Sequence, residues 1–332
     1  MKGLTINDIA EISGYSKKTV SRVINNEKNV RESTRKAILS VMKQYNYKPN
    51  VYAKNLNKKV SKNILISVRK SRAAMNEWIN TLLFDLVVES KALGYNLIVE
   101  DFYVARDFEN SLINTYSNFI DGVILFYEKD NDERIKLLNR YNIPFVVFGM
   151  SYTEGVTYVS NDNYESSKNA IKYILDKDMR KGKVLLGNRI PTNIERVNGA
   201  LSAFKDRNID DSNLRVVFGL ISVNDVYEYV VDLISKSDLP EFFYVSGDDK
   251  ALGVLKALNE YNIKIPSEVS VIGYDNIPSS KFYFPSLTTI SPNYKELSKN
   301  VVYKLHQLIN GEAVVESFQV KSELVIRDST KK

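Results

Sequence analysis

The sequence predicts an α/β protein in which a small unit of three helices precedes a larger two-lobed core of parallel sheets flanked by helices. Three amphipathic helical stretches occupy the first 45 residues. After residue 62, eight short apolar runs alternate with segments of helical length. Charge divides at the same place: residues 1–59 hold 13 Lys and Arg against 4 Asp and Glu, and the remainder holds 33 against 36. This split is typical of a phosphate-binding module joined to an ordinary folded core.

The first two helices form a helix-turn-helix pattern. Thr5 and Asp8 have the spacing of a capping box, and Gly14 permits the sharp turn before Ser16, which can cap the second helix. One side of the second helix is an apolar stripe. The other side carries Lys17, Lys18, Ser21, Arg22 and Asn25. A short helix with such a face suits a DNA groove, although an ordinary solvated surface has the same residue types. Ala37, Ile38, Val41, Met42 and Tyr45 predict a third helix that closes the core.

The next segment, YKPNVYAKNLNKK, spans residues 47–59. Ala53 and Leu56 are three apart and lie among polar residues such as Asn50, so the segment buries too little apolar surface to form a stable helix alone. We expect it to order only with DNA and a partner subunit.

The composition excludes several chemistries. The chain has no cysteine and one histidine, His306, which removes disulfides, thiolate metal sites and most histidine-based catalysis. We expect no catalytic residue, no metal and no cofactor. No signal peptide or membrane-length apolar run is evident, so the expected location is the cytoplasm, without membrane association.

The core predicts two successive doubly wound sheets. The strand-like runs begin at Asn63, Tyr95, Gly122 and Phe145 for the first sheet and at Lys183, Arg215, Phe242 and Val269 for the second. Two such lobes imply a cleft at the carboxyl ends of the strands. Asp248, Asp275 and Arg196 follow strands of the second sheet, and Trp78 follows the first strand. Carboxylates, a guanidinium and an aromatic ring suit a polyhydroxylated ligand, but Trp78 could equally be a core aromatic and Asp275 a turn cap.

The run TINDIAEISGYSKKTVSRVINN followed by YKPNVYAKNL resembles the headpiece and hinge of the LacI/GalR (lac-repressor) family of bacterial transcriptional regulators. The resemblance implies a headpiece at 1–49, a hinge helix and linker at 50–61, and a periplasmic-binding-protein-like core. The first lobe would be 62–160 with 293–318, and the second 161–292 with 319–330.

The resemblance also implies residue roles. Thr5, Ser16, Thr19 and Asn25 would hold phosphates, Lys17, Lys18 and Arg22 would face base edges, and Leu56 would be a minor-groove wedge. A homodimer would bind a near-palindromic double-stranded DNA operator. In the cleft, Arg196 and Asp275 would bind a small-molecule effector, and Asn76 and Trp78 fall where the family has its Asn-Pro-Phe-Phe run.

Some positions depart from the family pattern. Arg31 replaces a small helix-capping residue, Gly149 an aspartate, Gly247 an asparagine and Ile221 a stacking aromatic of some members. YVSNDN from Tyr158 resembles maltose-responsive members, whereas YDNIPSS resembles the purine-responsive one. A sugar effector is favoured, with a purine or nucleoside as the alternative. A transport solute-binding protein would lack the basic headpiece, and an enzyme would need a phosphate loop or a G-x-G-x-x-G turn that the chain lacks.

Overall fold

The computed structural model describes residues 4–47, 61–69, 77–102, 109–312 and 316–332. It contains two compact units, Met1–Ser61 and Lys62–Lys332. Within the described ranges, no helix is long and apolar enough to cross a membrane. The same ranges contain no group of three or more His, Cys, Asp or Glu side chains that could hold a metal ion.

The first unit is a three-helix domain, as the sequence predicts. Its helices are α1 (Ile6–Ser13), α2 (Lys17–Ile24) and α3 (Glu32–Gln44). The fully or nearly fully buried core residues are Ile9, Val20, Val23 and Ile38. Two predicted inner residues, Ala37 and Tyr45, are exposed instead. Because α3 ends at Gln44, helical spacing no longer applies to Tyr45, and Tyr47 packs against the core in its place.

The first lobe of the second unit is a six-stranded parallel sheet in the order β11-β5-β4-β3-β1-β2. Its strands are β1 (Asn63–Val68), β2 (Asn96–Asp101), β3 (Gly122–Phe126), β4 (Phe145–Phe148), β5 (Tyr158–Asn161) and β11 (Phe318–Val320). Its helices are α4 (Glu77–Ala92), α5 (Leu112–Thr115), α6 (Glu133–Tyr141) and α11 (Tyr294–Ile309). Helices α4 and α11 cover one face of the sheet, and α5 and α6 cover the other, so the central strands are buried on both sides.

The second lobe repeats this architecture in the order β12-β10-β9-β8-β6-β7. Its strands are β6 (Gly182–Leu185), β7 (Leu214–Val217), β8 (Phe242–Val245), β9 (Ser270–Tyr274), β10 (Thr288–Ser291) and β12 (Glu323–Val325). Its helices are α7 (Asn163–Leu175), α8 (Pro191–Asp206), α9 (Val223–Ser235) and α10 (Asp248–Glu260). Only β12 runs antiparallel to its neighbour within the described part of this sheet. Helices α7 and α8 cover one face, and α9 and α10 cover the other.

All eight strand-like runs form strands, and the structure adds four strands of three or four residues. These are β5, β10, β11 and β12, in which polar residues such as Ser160, Thr288 and Gln319 interrupt the apolar run that indicates a strand. One predicted lobe boundary differs from the strand pairing. The boundary after residue 318 would divide β11, whereas parallel pairing with β5 keeps Phe318–Val320 in the first sheet.

Candidate functional sites

The turn of the helix-turn-helix is held by side-chain caps on both helices. The backbone N–H of Thr5 donates to Asp8 Oδ2 at 2.6 Å, and Thr5 Oγ1 accepts from the N–H of Asp8 at 3.4 Å. Gly14 has a φ of 70°, which a residue with a side chain rarely adopts. Ser16 Oγ accepts from the N–H of Thr19 at 3.2 Å and begins α2. These contacts confirm the predicted capping box and turn.

Helix α2 buries one side and presents the other to solvent. Val20 and Val23 lie in the core, while Lys17 and Lys18 are exposed and Arg22 is half-buried. Arg22 Nε lies 3.7 Å from Glu27 Oε2, but both side chains are largely solvated, so this pair adds little stability and leaves the guanidinium available. The cationic face predicted from the sequence is therefore a surface of one rigid helix.

The hydroxyl and amide side chains expected at phosphates are tied to neighbours on the same helices. Thr5 Oγ1 donates to Asp8 Oδ2 at 2.8 Å, Ser16 Oγ and Thr19 Oγ1 are 2.9 Å apart, and Asn25 Nδ2 donates to Ser21 Oγ at 3.4 Å. These bonds orient the side chains in advance. Asn50, Ala53, Leu56 and Asn76 lie outside the described residues, so their predicted roles stay predictions.

Arg35 is a headpiece residue that the sequence did not single out. From α3 it donates to Asn26 Oδ1 at 2.9 Å and to the carbonyl oxygen of Glu27, and its side chain is only 16% exposed. It therefore fastens the chain that follows α2 to α3. Arg31 stands at the start of α3 without a side-chain cap, which agrees with its departure from the family pattern.

A cavity of about 180 Å³ lies between the two lobes of the second unit. It is lined by residues that directly follow strands of both sheets, including Arg69, Tyr127, Gly149, Ser246 and Asp275. Ligands bind at such carboxyl-terminal edges of parallel sheets. The volume is below the range of roughly 300–1,000 Å³ that is typical of drug-sized ligands, so the cavity suits a small, compact molecule.

Aromatic rings of the first lobe form one wall of the cavity. Trp78 is stacked near Phe148 and Tyr294, with ring centroids 6.2 and 6.3 Å apart. Phe126 and Tyr127 add a tilted and an edge-on ring at 6.4 and 6.2 Å from Trp78. Trp78 thus packs as a core aromatic and lines the cavity at the same time, so the two alternatives raised by the sequence are both realised.

The opposite wall is polar and is centred on Arg196 of α8. Arg196 is 9% exposed, and its Nε donates to Asn163 Oδ1 at 3.0 Å. Its guanidinium carbon lies 3.6 Å from the centre of the Tyr274 ring, and the Tyr274 hydroxyl donates to the same Asn163 oxygen at 3.1 Å. Asn163 was not predicted. These neighbours hold the guanidinium in one orientation at the cavity.

Asp275 lines the cavity at the end of β9 with a strained backbone. Its φ of 108° is rare for a residue with a side chain, and such strain concentrates at functional sites. The Tyr294 hydroxyl donates to Asp275 Oδ1 at 3.4 Å. Burial is the main cause that raises the pKa of Asp275 to about 7; the Arg196 charge opposes this rise and the Asp249 charge adds to it. The carboxyl group is therefore poised between its charged and neutral forms near neutral pH.

Asp248, predicted as an effector ligand, lies outside the cavity lining. It is fully buried, and its carboxylate accepts from Thr289 Oγ1 at 2.5 Å and from the N–H of Ile277 at 3.0 Å. It therefore joins the end of β8 to β10 as a structural residue. The next two residues of α10, Asp249 and Lys250, line the cavity instead.

A buried charge network supports the first-lobe side of the cavity and was not predicted. Arg134 and Asp132 have side chains with no exposure, and Arg134 Nη2 lies 2.8 Å from Asp132 Oδ2. The same guanidinium donates to the carbonyl oxygens of Ser67 and Phe126, both at 2.9 Å. It thereby anchors the ends of β1 and β3, where cavity residues begin.

Besides the bond from Tyr294 to Asp275, further hydrogen bonds cross the cleft between the lobes. Tyr152 donates to Glu195 Oε1 at 2.6 Å, and the N–H of Met150 donates to Thr192 Oγ1 at 3.1 Å. On another side, Ser279 Oγ donates to Glu77 Oε2 at 2.7 Å. These bonds can form only when the two lobes lie close together.

Comparison with known proteins relates both units to regulators. Residues 5–50 match the model described as bacterial regulatory proteins, lacI family, and residues 172–330 match a periplasmic binding protein-like domain. A relative named HTH-type transcriptional regulator MalR, from Clostridium butyricum, is 29% identical over 98% of this chain and 99% of its own. A relative named HTH-type transcriptional repressor PurR, from Mannheimia succiniciproducens, is 28% identical over 99% of both.

The fold also matches a solved structure over its whole length. The crystal structure of the lac repressor dimer bound to operator and the anti-inducer ONPF shares 23% identity and a TM-score of 0.87, with 99% of each chain covered. The fold is therefore that of the lac repressor, with helix-turn-helix helices before a two-lobed core of mainly parallel sheets. The two matched domains and the two relatives aligned over nearly the whole chain place the protein in the lacI family of bacterial regulatory proteins, as a DNA-binding transcriptional regulator.

Proposed function

We propose that this regulator represses transcription by binding, as a homodimer, a near-palindromic operator that α2 reads in the major groove. The main support for this proposal is the solvent-facing side of α2. There Lys17, Lys18 and Arg22 project from a helix whose N-terminus is capped by Ser16. Long cationic side chains on a rigid helix can reach guanine edges, which accept hydrogen bonds from Arg and Lys. The pre-oriented Thr5 and the other capping residues would contact phosphates.

The cleft would hold the controlling ligand, and its two walls favour a sugar. Stacked rings such as Trp78 and Phe148 can cover the apolar face of a pyranose, while Arg196 and Asp275 on the facing wall match paired hydroxyls. A purine is the second candidate, because the same rings would stack on a planar base and the PurR relatives cover the full chain.

Exposed aromatic side chains support the dimer. On the first lobe, Phe84 of α4 is 80% exposed and Val88 is 59% exposed. On the second lobe, Phe282 and Phe284 are 78% and 85% exposed. Apolar side chains this exposed favour a protein partner, and a two-fold axis would cover the same patch on both copies. The lac repressor structure matched above is described as a dimer on its operator.

Control would follow from closing and opening of the cleft. A ligand that bridges the two walls favours the closed arrangement, in which bonds such as Tyr152 to Glu195 form. Closure would change the spacing of the first lobes in the dimer, and so the ability of the segments around Leu56 to order in the minor groove.

The test is a change in base preference. The operator is first selected from random duplexes with the purified wild-type protein. The affinities of wild type and Arg22→Ala for this operator and its single-base variants are then measured, with Lys36→Ala on the exposed surface of α3 as the control. Arg22→Ala should lose discrimination at one position of each half-site, corresponding to roughly 1–3 kcal/mol, with the control unchanged. If Arg22→Ala weakened binding to all duplexes equally, Arg22 would contact phosphate and the reading by α2 would be refuted.

A further inference from the structure

Two cations line the cavity without a carboxylate partner among the described residues, Arg196, which is buried, and Lys250, which is partly buried. In the described part of the chain, no Asp or Glu oxygen lies within 4.0 Å of a side-chain nitrogen of Arg196 or Lys250. Lys250 Nζ donates to one neutral group, Ser246 Oγ, at 3.1 Å, and an ammonium has three donors. Buried charges are normally paired, so an unpaired ammonium at a cavity points to a ligand that supplies the counter-charge.

Gly247 makes room for Lys250 at the cavity. A Cβ at residue 247 would lie 2.7 Å from Asp249 Oδ1 and 3.1 Å from Lys250 Cε, and its φ of 143° disfavours any side chain. A side chain at this place would therefore clash with Asp249 and press on Lys250. With glycine at residue 247, this chain has no side chain there, and the stem of Lys250 lies next to the open space.

Two further features make the wall more positive. Helix α8 begins at the cavity with Ile190 as its N-cap and no side-chain cap, so the positive end of its dipole is not neutralised by a side chain. The acids that line the cavity are drawn toward their neutral forms, because burial raises the pKa of Asp249 and of Asp275. Burial lowers the pKa of Lys250 only to about 8, so the amine stays mainly charged at pH 7.

We propose that the effector is a small sugar carrying an anionic group, a carboxylate or a phosphate, and that Lys250 binds this group. This inference rests on the proposed effector role of the cleft. The aromatic wall around Trp78 would cover the ring, while the charged group would lie beside Lys250 Nζ and replace the missing counter-charge. A monosaccharide derivative is consistent with a cavity of about 180 Å³.

The experiment uses matched neutral and charged ligands on the full chain. Wild type is titrated with glucose, glucuronate and glucose 6-phosphate, with the corresponding galactose series, with inorganic phosphate, and with neutral purine bases. Binding is followed by calorimetry and by the emission of Trp78, the only tryptophan. Lys250→Met removes the charge and keeps an unbranched chain. Lys256→Met is the control, because Lys256 is an exposed residue of α10 that pairs with Glu260.

A charged member should bind at least tenfold tighter than its neutral partner. Lys250→Met should remove that preference, and Lys256→Met should match wild type. Comparing the uronates with the sugar phosphates shows whether the bound anionic group is a carboxylate or a phosphate. Equal or tighter binding of the neutral sugars, an unchanged preference in Lys250→Met, or no response to any charged probe, inorganic phosphate included, would overturn the inference. If only neutral sugars bound, the inference about the anionic group would be wrong but the cleft would still be the effector site. If only purines bound, the proposal of a sugar effector would be wrong as well.

Discussion

Replacing Asp275 by asparagine should stabilise the protein in the absence of effector, and the gain should grow with pH. Asparagine resembles the neutral form of the acid, and the surrounding protein disfavours the charged form, since burial raises the pKa of Asp275 from 3.8 to about 7. Between these two values the folded protein retains a proton that the unfolded chain has lost. The free energy of unfolding of wild type therefore falls as pH rises through this window.

The size of the effect follows from the two pKa values. A shift from 3.8 to about 7 corresponds to about 4 kcal/mol at roughly 1.4 kcal/mol per unit. The difference between Asp275→Asn and wild type should be about 2 kcal/mol at pH 5 and about 4 kcal/mol at pH 8 by the same linkage. Acids that do not interact with Asp275 titrate alike in both proteins and cancel in the difference, whereas Asp248 and Asp249 interact with it electrostatically and do not cancel fully.

Urea unfolding followed by circular dichroism at pH 5, 6, 7 and 8 measures this difference. Asp130→Asn serves as the control, because Asp130 is exposed and its replacement should change stability by less than about 0.5 kcal/mol at every pH. A difference for Asp275→Asn that does not vary with pH would mean that the folded and unfolded states bind this proton equally. The reasoning from burial would then be refuted.

Three other substitutions test separate parts of the structure. Asp132→Asn leaves the buried Arg134 without its counter-charge and should lower the free energy of unfolding, measured with urea, by about 3–5 kcal/mol. Glu133→Gln changes a side chain that is 29% exposed and should lower it by less than about 1 kcal/mol. Equal losses in the two variants would contradict the role of burial. Phe84→Ser should weaken self-association measured by sedimentation, and an unchanged dimer would place the interface elsewhere. Tyr294→Phe keeps the ring but loses the hydrogen bond to Asp275. It should reduce the factor by which ligand changes operator affinity, and it should change the affinity for ligand alone and for operator alone by less. If ligand changed operator affinity by the same factor as in wild type, this contact would have no part in the control.

The sequence was informative where chemistry is local. Capping by Thr5 and Ser16, the turn at Gly14 and the eight predicted strands depend on neighbouring residues, and all are present. It was less informative about the direction of side chains. Asp248 and Asp249 are consecutive residues of a helix, so they point about 100° apart, and only the packing of α10 against β8 and β9 decides which one faces the cavity.

Long-range burial was also invisible in the sequence. Asp132 and Arg134 stand at the start of α6 among other charged residues, a pattern that usually indicates a solvated helix end. Their pairing depends on the carbonyl groups at the ends of β1 and β3, which come from distant parts of the chain. Asn163 escaped notice for the same reason, since its partners Arg196 and Tyr274 belong to two other elements.

The position of Tyr294 connects the cavity to the surface proposed for the dimer. Its hydroxyl meets Asp275 of the second lobe, and its ring is stacked near Trp78, yet it belongs to the first turn of α11 in the first lobe. Helix α11 packs on α4, the helix that exposes Phe84. A ligand that changes the contact between Tyr294 and Asp275 therefore acts on a helix pair that reaches the proposed interface. Because packed helices move as rigid bodies, a small displacement at Tyr294 can alter the spacing of two subunits without any rearrangement of the sheets.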